Sequence, residues 1–142
     1  AYNEAKRFSD SDKAYDKALA LEPDNAGTLN NFAYYLSVRN EQLEKAERMS
    51  KRSLEITPAA ATYMDTYAWV LFRAGKFPEA RVWIEKALAS GEPDGVVVEH
   101  YGDILFELGD ADGALEQWRK AKTLGGGSSA LDRKIHEGIR VE

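Results

Sequence analysis

The chain contains no cysteine. That absence removes disulfides, zinc–thiolate sites and thiol nucleophiles together, but it chooses no compartment, because cytosolic and exported proteins can both lack the residue. Histidine is almost as scarce, with His100 and His136 alone. His100 beside Glu99 and Asp103 lacks the third His or Cys a metal site would need, and polar residues on a helix side describe the group better. His136 sits among charges and is expected at the surface. No apolar run approaches the roughly 20 residues that span a bilayer. The charge is not one-sided either: 24 acidic residues face 19 basic ones, spread along the chain, which omits the clustered positive face that nucleic acid requires. The run Gly125-Gly126-Gly127 is followed by Ser128 and Ser129 rather than the Lys-Ser/Thr of a phosphate loop, and reads as a hinge. Carboxylates are plentiful, yet no nucleophile accompanies them, so an enzyme has no positive support and no catalytic residue, cofactor or metal is expected.

What is present is a repeated pair of helical patterns. In the stretch from Asp65 to Leu88, Tyr67, Ala68 and Leu71 fall on one side of a helix. Gly75 then interrupts, Pro78 suits the first turn of a new helix and Glu79 favours its positive end. Ala80, Trp83, Ile84, Ala87 and Leu88 form a second stripe at three- and four-residue steps. Ala68 and Ala80 lie where the two helices should meet, and only a small side chain lets two backbones come that close.

Both small residues recur. Ala46, Ala80 and Ala114 are 34 residues apart, and Ala33, Ala68 and Gly102 follow at 35 and 34. An aromatic-small-x-x-Leu pattern surrounds the second set: Phe32 to Leu36, Tyr67 to Leu71, and Tyr101 to Leu105. This period, with two helices per unit and a closing Pro23 or Pro58, resembles the tetratricopeptide repeat. The usual Trp of the first helix is replaced by Leu29, Met64 and Val98. The resemblance implies an all-α fold, a right-handed superhelix of antiparallel helix pairs, and a protein-interaction role. Its units would be 1–24 (mainly a second helix), 25–58, 59–94 and 95–124, with 125–142 a Gly-rich hinge and capping helix, all in one solenoid.

Along the chain, residues 1–5 match the last turn of a first helix, so a fragment of a longer array is expected. Ser9 or Asp10 is expected to cap a helix running to about Leu21, and Asp24 or Asn25 the next, at 26–38. Further helices are expected at 43–56, 60–74, 78–90, 95–108 and 111–123. The turn at 39–42 is one residue longer than its counterparts, and the third unit closes with the longer turn Gly91 to Gly95. Ser129 with Asp132 resembles a capping box, ahead of a stripe of Leu131, Ile135 and Ile139 that leaves Asp132, Arg133, Lys134 and Glu137 outside. A helix at 9–21 short of a partner would leave one side of Phe8, Ala14, Tyr15 and Ala18 uncovered, and self-association there is expected.

In the tetratricopeptide family, the first helices line a concave groove where extended peptides usually bind. Counting from each small residue places Asn30, Tyr34, Ser37 and Val38 on that face, then Asp65, Trp69, Phe72 and Arg73, then Glu99, Asp103, Phe106 and Glu107. Such aromatic density suits a partner's anchors, although Phe72 and Phe106, and also Tyr34 and Trp69, have the core as an alternative. The carboxylate clamp of chaperone-binding relatives needs positive charge where Asp65 and Glu99 stand, so that role does not carry over. An acidic groove with aromatic anchors instead suits a segment bringing basic and apolar side chains. The alternative is a spacer and cap of a longer array that binds upstream. The stretches from Tyr67 to Phe72 and from His100 to Asp103 resemble bacterial, often exported, members, which implies a periplasmic or membrane-associated location, with the cytoplasm as the alternative.

Overall fold

The computed structural model describes residues 2–92 and 94–141, with side chains from residue 7 onward. Ala1 and Pro93, which entered the sequence reading, lie outside them. Among the described residues there are eight helices and no strand: α1 (Tyr2–Leu21), α2 (Ala26–Val38), α3 (Leu43–Ile56), α4 (Ala61–Arg73), α5 (Phe77–Ser90), α6 (Gly95–Glu107), α7 (Ala111–Leu124) and α8 (Leu131–Glu137). None is long and apolar enough to cross a membrane.

Helices α2 and α3, α4 and α5, and α6 and α7 pack as pairs, and α4 lies against both α2 and α6. The small residues are where the pairs close: Ala33, Ala46, Ala68, Ala80 and Ala114 are all fully buried. Successive units share cores. Val70 of α4 is buried with Phe32, Leu36 and Met49 of the preceding unit. Ile104, 34 residues later, is buried in the same way with Leu71, Phe72 and Ile84. Each such side chain, taken from water, stabilises the junction by about 1.5–3 kcal/mol. The solenoid is therefore held together by what each unit inserts into the one before it.

The turns inside the pairs follow from backbone geometry. Gly75 and Gly109 sit at positive φ, 82° and 92°, where glycine has no Cβ to clash. In the longer turn at 39–42, Asn40 and Gln42 adopt that region without being glycine, at φ 57° and 46°. Asn25, Asp94 and Asp110 cap the helices that follow them through side-chain oxygens.

Four local expectations are corrected. No helix starts at Ser9 or Asp10: α1 is continuous from Tyr2, because nothing at Phe8 or Ser9 acts as Gly75 or Gly109 does. Its outward residues Phe8, Ala14 and Ala18 are exposed, while Tyr15 stacks on Phe32 at 4.8 Å. Ser129 caps nothing; Ala130 holds the N-cap position of α8 and has no capping side chain, while its own N–H donates to Ser128 Oγ at 3.3 Å. Lys134 is not on the outside but buried, 4% exposed, because it lies one turn from Leu131 on the inward face. Ile139 falls beyond the end of α8, past Gly138 at φ 69°, and is exposed.

Candidate functional site

Helices α2, α4 and α6 form one face, and the segment after α7 folds back across its far end. Two cavities lie along it. The first, of about 520 Å³, is bounded by Tyr34, Val38, Trp69 and Val96 on one side and by residues 126–130, Lys134 and Val141 on the other. The second, of about 550 Å³, lies between Asn30, Tyr34, Asp65 and the turn at Gly91 and Glu92. His100 lines both.

The predicted residues separate by environment. Tyr34, Val38 and Val96 are exposed apolar groups at the first cavity. Trp69 is half-buried and lines it too, but its ring is held in a stack, 4.8 Å from Phe72 and 4.0 Å from His100. Phe72 is buried, tilted against Phe77 at 5.4 Å, and is core rather than anchor. Phe106 packs toward Trp118 and is half-buried. Arg73 donates from Nε to the Ser37 carbonyl at 3.2 Å, tying α4 to the end of α2. Asn30 is buried, and among the described residues its Oδ1 has no hydrogen-bond partner.

The acidic character expected of this face does not survive. Glu99 and Asp103 are each 3% exposed and meet Lys134 Nζ at 2.7 and 2.9 Å. Glu99 also accepts from Ser128 N at 2.6 Å, and Asp103 from Trp118 Nε1 at 3.1 Å. Burial works against the charge of Glu99, yet the bonds from Lys134 and Ser128 prevail and lower its pKa. For Asp103 burial is the larger influence and raises the pKa despite Lys134. Asp65 pairs with His100 Nδ1 at 2.9 Å. Glu107 pairs with Arg140 at 2.7 Å. These carboxylates are therefore matched by basic groups within the chain rather than waiting for a partner's.

The two inner pairs are one arrangement used twice. Glu99 follows Asp65 by 34 residues, and Lys134 follows His100 by the same number. In both, a carboxylate of one first helix meets a basic group 35 residues later. Helix α8 thus stands where the first helix of a further unit would stand, and Lys134 repeats the place of His100. Sequence reasoning missed both basic residues. The spacing of 34 between them was the available signal, but Lys134 was assigned by the charge pattern of α8 alone.

The comparisons agree with this architecture. Three models described as tetratricopeptide repeat match residues 14–48, 60–92 and 97–120, together more than half of the chain. A TPR repeat-containing protein of Pseudomonas aeruginosa is 31% identical over 85 residues, covering 60% of this chain and 14% of that protein. Among solved structures, YrrB, described as a TPR protein with an unusual peptide-binding site, is 27% identical with a TM-score of 0.70. That match covers 88% of this chain and 64% of YrrB. A tetratricopeptide repeat protein of Parabacteroides merdae superposes with a TM-score of 0.81 at 18% identity, over 98% of this chain and 54% of its own. The chain belongs to the tetratricopeptide repeat family, an all-α superhelix of the kind that serves as a protein-interaction scaffold.

Proposed function

We propose that the chain holds a peptide or an extended partner segment in the groove formed by α2, α4 and α6, with the first cavity as the anchoring pocket. One observation carries this reading. Tyr34, Val38 and Val96 leave apolar surface exposed around a cavity of about 520 Å³, beside a Trp69 ring that its neighbours already hold in place. Ordered rings at a concave surface lose little entropy when a ligand covers them, which favours anchors of this kind. The likeness to YrrB, itself described as having a peptide-binding site, supports the same reading. Because Glu99, Asp103 and Asp65 have partners inside the chain, the segment is one that brings apolar or aromatic side chains, with basic character secondary.

Peptides selected from a random display library on the immobilised chain provide the test. Tyr34→Ala should weaken their binding at least tenfold while leaving the thermal midpoint near that of the wild type, since Tyr34 is 39% exposed and lies at the surface rather than in the core. Amide shifts in α2, α4 and α6 should report the contact. The spacer reading rests on a different observation: Lys134 seals the inner carboxylates of α6 as a terminal cap would. Undiminished binding to Tyr34→Ala, with shifts elsewhere, would give that reading precedence.

A further inference from the structure

His100 is an imidazole that lines both cavities, and its surroundings assign its two nitrogens different tasks. Nδ1 lies 2.9 Å from Asp65 Oδ1. A carboxylate oxygen accepts, so Nδ1 carries the proton in either state of the ring. One ring face is covered by Trp69 at 4.0 Å, with 20° between the planes. What remains toward the cavities is the other edge, which carries Nε2, and no described residue is hydrogen-bonded to that nitrogen. Any proton that His100 gains or loses is therefore gained or lost at Nε2.

We propose that His100 Nε2 is the polar contact of the groove, donating to a carbonyl or carboxylate oxygen of the bound segment when the ring is protonated, so that capture weakens as pH rises. This rests on the groove reading above and specifies the partner further: an acceptor oxygen placed beside an apolar anchor. In neutral imidazole the same nitrogen offers only a lone pair and opposes that oxygen. The ring is also positioned by its surroundings, because the Asp65 bond and the Trp69 stack leave it no freedom to turn away.

The charges around the ring favour the protonated form. Asp65 faces it from α4, and Glu99 and Asp103 lie beside it on α6. Lys134 of α8 opposes them but is engaged by Glu99 and Asp103. Arg73 and Arg140 border the first cavity and Glu92 and Asp94 the second, while Tyr34 of α2 borders both and has its hydroxyl pKa raised, chiefly by burial. Burial of His100 pulls its pKa down, yet the Asp65 charge and hydrogen bond, with Asp103 and Glu99, outweigh it, and the net direction is upward. A raised value means that the donor is present below the His100 pKa and lost above it.

Two measurements decide. The first needs no ligand: ring-nitrogen NMR, with His136→Gln leaving a single histidine. The Nδ1–H signal should persist across the titration while Nε2 titrates above the ordinary value of about 6.5, and Asp65→Asn should bring that value down. A ring that loses its Nδ1 proton, or Nε2 that does not titrate between about pH 5 and 9, overturns the inference. The second uses display-library peptides selected at about pH 6. Their affinity should fall by up to about tenfold per pH unit above the His100 pKa, the limit for one linked proton. His100→Asn keeps a donor toward Asp65 but removes the Nε2 edge, and should bind weakly with no pH dependence. His100→Gln, with its amide nitrogen near the Nε2 position, should bind with no pH dependence and regain affinity at high pH. An equal pH fall in wild type and His100→Asn overturns the inference and leaves the groove reading standing. Binding that Tyr34→Ala does not reduce overturns the groove reading, and the inference with it.

Discussion

A Cβ placed on Gly102 would lie 2.5 Å from both Cδ1 and Nε1 of Trp118. Trp118 stands 34 residues after Ile84, and Gly102 stands 34 after Ala68, so the third pair has traded a methyl on one helix for an indole on the other. The indole cannot retreat, because it is fully buried and its Nε1 donates to Asp103 at 3.1 Å. Gly102→Ala should therefore destabilise by about 1–3 kcal/mol through overpacking, although alanine is the better helix former by about 1 kcal/mol. Combining it with Trp118→Ile, which restores the pairing of the middle unit, should recover part of the loss. Urea unfolding of the two single variants and the double variant checks the coupling.

Ala80 makes the same argument in the middle pair. It is fully buried in a cluster with Ala68, Leu71 and Ile84. Ala80→Leu should cost about 1–3 kcal/mol, as the two helices are forced apart. An unchanged thermal midpoint would mean that α4 and α5 do not close on this residue.

Lys134 neutralises two buried carboxylates from a helix of only 7 residues. Lys134→Met should destabilise by about 3–5 kcal/mol, because it leaves Glu99 and Asp103 buried without a cation. A loss below about 1 kcal/mol would place the pair in water rather than in the core.

The same pair predicts a change in pH dependence. In the wild type the lowered pKa of Glu99 adds stability that is present above its unfolded value and lost as pH falls through the folded one. The raised pKa of Asp103 acts in the opposite sense, costing stability at neutral pH and relieved by acid. Without Lys134 only burial and mutual repulsion remain for the two carboxylates, and both should bind protons more readily when folded. Lys134→Met should thus gain more stability than the wild type on acidification from about pH 7 to 5, since the loss tied to Glu99 begins only below that window. Urea midpoints at the two pH values give the comparison.

Salt should matter little to groove binding. Exposed, unpaired carboxylates would steer a basic segment and lose that effect within a Debye length of about 10 Å at 0.1 M salt. Here Asp65, Glu99 and Asp103 are paired within the chain. Association rates of the selected peptides should differ by less than about threefold between roughly 50 and 500 mM salt. A steep decline would restore the acidic groove.

The order of helices was legible from the sequence because its signals are local and periodic. The 34-residue spacing of Ala46, Ala80 and Ala114 required close helix contacts at fixed intervals, and those residues are buried. Gly75 and Gly109 marked the turns for a backbone reason that neighbours do not alter. The single α1 was misread because an alignment by repeat register supplied a turn that no residue enforces. Counting from the small residues also found the face that α2, α4 and α6 share. What that face offers a partner was decided by tertiary contact. A carboxylate pattern gives the sign of a charge but not what stands opposite it. The imidazole opposite Asp65 comes from the next helix pair, and the one ammonium opposite Glu99 and Asp103 comes from beyond the triple glycine. Likewise periodicity places Trp69 and Phe72 on one helix side, yet only the stacking of neighbouring helices buries Phe72 and holds Trp69 between the core and the cavity. Helix pattern depends on steps of three and four residues; charge pairing here depends on side chains meeting across about 35, and no local rule reaches that far.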